Sequence, residues 1–134
     1  MSHQENISTI GEIYEAVGRG DVAAIQDRVT EDVDWAAEAS SEAAPWYGPR
    51  TGRDGVARFF GELAESVEIS EFRPHSYAAG EDDVHLLVDW TFRSKATGRE
   101  ASMTMHHHWR LRDGKVERFR GSEDTEMTAS ALAR

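Results

Sequence analysis

One histidine on an otherwise apolar face carries the chemistry that this 134-residue sequence can offer. In an extended chain, side chains alternate between two faces with a period of two. Over the run from Met103 to Arg112 that rule puts Met103, Met105, His107, Trp109 and Leu111 on one side, and Thr104, His106, His108, Arg110 and Arg112 on the other. His107 is the exception on the apolar side. Imidazole exchanges protons near neutral pH without perturbation, and ligand pockets are largely apolar walls holding a few polar groups. His107 therefore reads either as a general base or hydrogen-bonding anchor in a cavity, or as a core histidine whose ring nitrogen is satisfied by a neighbour.

A histidine of this kind needs a partner, and three carboxylates are candidates. Glu123 shares its parity with Phe119 and Gly121, so it points inward near a rim, where it would raise the pKa of His107, or lies exposed on that rim. Glu38 and Asp34 flank a short strand and could face His107, although both sit beside turns. Asp89 has outward parity, toward His106, His108 or Arg110. The catalytic candidates are thus His107, Glu38 and Glu123. Candidate ligand contacts are Tyr14, Trp35, Trp46, Phe60, Trp90, Met105, Trp109 and Phe119, residues that core packing would also explain. Together they suit a small, flat or polycyclic, apolar ligand.

The other face of the same strand carries His106 and His108. Two imidazoles on one strand make half of a metal site, and no motif elsewhere supplies the remaining ligands, so no metal is expected. No cofactor is expected either, because the chain has no phosphate loop or dinucleotide fingerprint. Instead, the row with Thr104, His106, His108 and Arg110 is the expected homodimer surface.

The elements that position these groups can be read from periodicity. Ile7, Ile10, Tyr14 and Val17 give a helix, with Asn6 or Ser8 as its cap and Gly18 and Gly20 at its end. Asp21 caps a short second helix with Val22, Ile25 and Val29 on its apolar side. A short strand spans Asp32 to Ala37, and a lid-like loop from Glu38 to Arg53 carries Trp46 and Tyr47. Asp54 opens a third helix with Val56, Phe59, Phe60, Leu63 and Val67 as its stripe. From Ile69 onward the period is two, with a strand to Ala79 that Pro74 demotes to an edge or bulge, then strands centred on Val88, His107 and Phe119, and a short tail helix through Leu132. Asp113-Gly114 forms the last hairpin turn. Helices followed by an antiparallel meander imply an α+β fold, with a strongly curved sheet closed by three N-terminal-half helices into a cone around a central pocket. The expected organisation is one domain over residues 1–134.

Composition narrows the partners. The net charge is −10, with ten acidic residues but only Arg19 and Arg28 before Tyr47, so nucleic-acid binding is not expected. There are no cysteines, which excludes disulfides and cysteine nucleophiles. The sequence has no run approaching the roughly 18 apolar residues of a membrane span. Its first residues lack a signal-peptide pattern, so a cytoplasmic protein is expected.

Three segments carry a family resemblance: Y-E-A-x-x-x-G-D from Tyr14 to Asp21, G-P-R-T-G-R-D-G-V-A-R-F-F from Gly48 to Phe60, and H-x-W-x-x-x-D-G-K-V from His107 with E-D-T at Glu123 to Thr125. In this order and spacing the chain resembles the SnoaL-like and ketosteroid-isomerase-like superfamily, with its nuclear-transport-factor-two-like cone fold. The resemblance implies a cone-shaped pocket, frequent dimers, and cofactor-independent isomerase, cyclase, dehydratase or epoxide-hydrolase chemistry, or binding alone. The isomerases' proton-shuttling aspartate would fall near Ala37, beside Glu38, their oxyanion tyrosine near Ile13, and their protonated aspartate at His107. The epoxide hydrolases' water-activating carboxylate would fall at Gly121, and their arginine and second aspartate at Met105 and His107. What this leaves is a pocket in which His107 handles protons on an apolar, ring-containing substrate, or a pocket that only binds.

Overall fold

In the computed structural model, which describes residues 2–134, the elements run α1 (His3–Arg19), α2 (Val22–Gln26), β1 (Val29–Ala37), β2 (Gly48–Thr51), α3 (Gly52–Ser66), β3 (Val67–Ala79), β4 (Asp83–Ser94), β5 (Glu100–Arg112), β6 (Lys115–Ser122) and α4 (Thr125–Leu132). The six strands form one open sheet in the order β2-β1-β6-β5-β4-β3. This is the expected α+β class, with one difference. The pairing of β1 with β6 is parallel, so the sheet is mixed rather than wholly antiparallel. Helices α1 and α3 pack on the inner face of the sheet, and α4 covers part of β4 and β5.

Local chemistry explains most boundaries. Ser2 caps α1 in a reciprocal box with Glu5, earlier than the expected Asn6 or Ser8, and Gly20 ends the helix at φ 68°. Asn6 is instead buried and gives its side-chain NH to the Glu81 carbonyl at 3.3 Å. Pro74 lies within β3, which is an edge strand, and a register shift follows between His75 and Ala78. Val29, expected on the second helix, opens β1 opposite Val116, a pairing between distant segments that local periodicity does not encode. The expected loop from Glu38 to Arg53 contains β2, which pairs with β1.

The β5–β6 hairpin turns at Asp113 and Gly114, both left-handed, with φ of 53° and 80°. Gly114→Ala should therefore lower stability by about 1–2 kcal/mol, seen as a reduced urea midpoint at unchanged slope. Burial along β5 follows the alternation, with Met105, His107, Trp109 and Leu111 buried and Thr104, His106, Arg110 and Arg112 exposed.

Candidate functional site

His107 lies at the centre of the inner face, 6 % exposed, between Leu86 on β4 and Gly121 on β6. Its Nδ1 is 2.5 Å from the hydroxyl of Tyr14 on α1. The Trp109 indole donates to that same hydroxyl at 3.0 Å. The assignment that uses every hydrogen has Tyr14 accepting from Trp109 and donating to Nδ1, because Tyr14 has no other acceptor among the described residues. His107 then carries its proton on Nε2, which makes no hydrogen bond to another described residue.

Burial sets the charge states of this group. It pushes the His107 pKa down from 6.5 to about 3, with the nearby charge of His106 acting in the same direction. It also holds the Tyr14 phenol well above its ordinary value, against the opposing hydrogen bond from Trp109. Both are neutral at physiological pH. The partner of His107 is thus a phenol rather than either expected carboxylate, and its pKa moves opposite to the rise that a carboxylate would cause. Gly121 explains how the ring fits: a Cβ there would meet Phe119 Cζ at 3.1 Å and the His107 ring at 3.4 Å. Where the resemblance suggested a lost carboxylate, the glycine makes room for an imidazole.

Above this floor is a narrow cavity of about 60 Å³. Trp35, Trp109 and Phe119 form one wall, with ring centroids 4.4–5.5 Å apart. Trp46 folds back from the loop after β1 and meets Trp90 edge-on at 6.3 Å, forming the other wall. Tyr14, Phe60 and Met105 also border the space. Ile69, 41 % exposed, lies on its rim.

Glu123 borders the cavity too. Tyr47 donates to its Oε2 at 2.8 Å, and Thr128 on α4 donates to the same oxygen. The Trp46 indole N–H adds a third hydrogen bond to this carboxyl group. Burial raises the Glu123 pKa, and the hydrogen bonds from Thr128, Tyr47 and Trp46 only partly offset it. On the β5–β6 ladder His107 faces Gly121, and Glu123 comes two residues later, so the two backbones lie on a diagonal of about 7–8 Å. Sequence reasoning missed Tyr47 and Thr128 as supports of this carboxylate. No short-range spacing rule links them to it: Thr128 is five positions away, off the three-and-four helical spacing, and Tyr47 is 76 positions away.

Glu38 is not brought to His107. It follows the last residue of β1, gives its backbone N–H to the Gly121 carbonyl at 2.8 Å, and borders a shallow outer depression beside Arg120. Trp35 and Ala37 line the cavity, so alternation along the chain turns Glu38 to the outer side. Asp89 does face outward, as its parity demands, but its partners are Thr104, His75 and Arg73 rather than His106, His108 or Arg110. His108 instead contacts Asp83 at 2.6 Å, and His85 stacks between His106 and His108 on the outer face.

A model of the SnoaL-like domain family matches residues 10–119. No curated protein matches the sequence. Among solved structures, an NTF2-like protein from Burkholderia xenovorans is 28% identical, with a TM-score of 0.88 over 98% of each chain. An NTF2-like protein of unknown function from Burkholderia pseudomallei gives a TM-score of 0.89 over 100% of both chains at 23% identity. TerC, co-crystallised with polyporic acid, gives 0.87 at 21% identity over 97% of this chain and 99% of that one. The family match spans the segment from α1 to β6 that builds the floor and both walls of the cavity, and the chain belongs to the SnoaL-like domain family.

Proposed function

We propose that the protein is a small-molecule enzyme of the isomerase, cyclase or dehydratase type, acting without a cofactor on an apolar, ring-containing carbonyl substrate held over His107. The observation that carries this reading is the pairing, on one cavity, of a neutral imidazole with a fixed tautomer and a carboxyl group whose pKa burial has raised. Glu123 Oε1 takes a proton from the carbon next to the substrate carbonyl. The electron pair moves onto the carbonyl oxygen, and His107 Nε2–H donates a hydrogen bond to the enolate formed. Glu123 then returns the proton to another carbon, completing an isomerisation, or the enolate carbon adds to a second carbonyl carbon of the same molecule, breaking that C=O π bond, and the alkoxide formed takes the proton from Glu123. Because Tyr14 resists ionisation, its role is to hold the ring, and no proton passes through it.

The test is exchange of α-protons for deuterium, followed by NMR, across a panel of cyclic ketones. Wild type should exchange at least one of them, and both Glu123→Gln and His107→Phe should lose that exchange. No exchange of any ketone shown to bind would defeat the enzyme reading. A non-catalytic binder is the second reading, favoured by the pKa of about 3 that makes His107 a poor base.

The same proposal places the protein in the cytoplasm as one domain and a homodimer. No helix among the described residues is long and apolar enough to cross a membrane. Support for the dimer comes from the outer sheet face, where His85, His106 and the 37 % exposed Leu87 sit together. Light scattering at micromolar concentration should give twice the 15.0 kDa chain mass, and a monomer mass would rule the dimer out.

A further inference from the structure

Among the described residues other than glycine, only Ser76 and Asp113 have positive φ, and the hairpin turn accounts for Asp113. Ser76 has φ 59° within β3, where Ser76 and Tyr77 together face Leu86 alone in a bulge. A side chain at that angle is strained, and glycine is the residue such bulges prefer. Strained backbone that its surroundings hold in place concentrates where a side chain must be aimed. Here that side chain is a hydroxyl, exposed on the edge strand of the sheet.

Ser76 Oγ lies 2.9 Å from His75 Nδ1. Across the ring, His75 Nε2 lies 3.1 Å from Asp89 Oδ1, a close contact short of hydrogen-bond alignment. Thr104 donates to that same oxygen at 2.7 Å, and Arg73 pairs with Oδ2. The Thr104 bond is the largest of the influences that hold the Asp89 pKa below its ordinary value, with His75 and Arg73 adding to it, so Asp89 is an anion at neutral pH. A carboxylate this close to Nε2 repels a lone pair and attracts a proton, which places the imidazole N–H there. Nδ1 is left bare and accepts from the Ser76 hydroxyl. Nucleophile, base and positioning anion thus stand in order, in three residues that the central cavity does not use. The alignment of such a set commonly tightens only when substrate binds.

We propose that Ser76, His75 and Asp89 form a second reactive site, which passes the acyl group of an activated aryl ester to Ser76 Oγ and then to water. Oγ attacks the ester carbonyl carbon as Nδ1 takes its proton, and the C=O π pair moves onto oxygen. That pair returns, the bond to the aryl oxygen breaks, and the leaving phenolate takes the proton from Nδ1. Water then gives a proton to Nδ1 as its oxygen attacks the acyl carbon. The bond from that carbon to Oγ breaks, and Oγ recovers the proton. Among the described residues Ser76 Oγ has no hydrogen-bonding neighbour apart from His75, so a developing oxyanion has little help and the leaving group must be good. The substrates are therefore esters of acidic phenols rather than amides or alkyl esters.

The probe is p-nitrophenyl acetate. Wild type should release p-nitrophenolate in a first-turnover burst and gain a single acetyl group, located at Ser76 by peptide mass spectrometry. Ser76→Gly should abolish both while keeping or raising the melting temperature, because glycine meets φ 59° without strain. His75→Gln should slow the burst by roughly 10²-fold or more. Release that persists in Ser76→Gly would assign the reaction to the outer-face imidazoles of His85, His106 and His108 and overturn the proposal. An acetyl group on Lys95 or Lys115 instead of Ser76 would overturn it too, as would a His75→Gln burst as fast as wild type. The α-proton exchange proposed for the central cavity uses none of these residues, so either site can fail without the other.

Discussion

Glu123→Gln should lower turnover by roughly 10²–10⁴-fold while leaving the fold as stable as wild type or more so at neutral pH. The substitution keeps the shape of the side chain and an oxygen that accepts from Tyr47 and Thr128, so those contacts survive. What disappears is the capacity to take up a proton. The stability sign follows from burial. A carboxyl group whose folded pKa is raised binds its proton more tightly in the native state, so ionising it at neutral pH opposes folding, and the amide is free of that penalty. The rate of wild type should rise with pH through an apparent pKa above the ordinary glutamate value, and this limb should be absent from the residual activity of the variant. His107 contributes no limb near pH 6.5, since its folded pKa is about 3. Steady-state pH profiles of the two proteins check the assignment, and a limb unchanged in Glu123→Gln would give the base role to another group.

Acidification from about pH 7 to about pH 4 should cost the fold roughly 3 kcal/mol through His107 alone. The folded pKa of about 3 lies below the unfolded value of 6.5, so the unfolded chain takes up a proton that the native imidazole refuses. Stability is fully present above 6.5 and is lost as pH falls toward 3. His85, whose pKa is also lowered by burial and by His108 and His106, acts in the same direction, and Glu123 acts against it. Urea titrations at several pH values should show the slope in wild type and a smaller one in His107→Gln. Ring ¹⁵N shifts should report an Nε2–H tautomer that does not titrate between pH 7 and 4. A His107 midpoint near 6.5 would remove both the pH slope and the neutral-imidazole role.

Much of this site was legible from short-range rules. Alternation along Met103 to Leu111 placed His107 inward among apolar neighbours, and the positive φ that Asp and Gly tolerate placed the turn. Edge placement of the Pro74 strand followed from its missing N–H. The aromatic residues proposed as walls all border the cavity: those in helices and strands lie on the buried side that periodicity identifies, and Trp46 lies in the loop expected to fold back over apolar surface. Family motifs suggested an oxyanion tyrosine near Ile13. Ile13 is wholly buried in the core, and the phenol at the floor is Tyr14, one residue and about 100° of helix further on.

Sequence by itself thus determined which residues face inward on each element, because side-chain direction depends on backbone geometry over a few residues. Only the tertiary structure decided which inward groups meet. The Tyr14–His107 bond joins residues 93 apart in the chain, and the parallel pairing of β1 with β6 is equally non-local. Each carboxylate follows the last residue of its strand, but Glu123 shares the inward parity of Gly121 and reaches the cavity, whereas Glu38 has the parity opposite to Ala37 and stays outside. The state of His107 was decided at the same level. Its sequence neighbours suggested a titrating base, yet desolvation by the whole surrounding fold makes it a neutral donor.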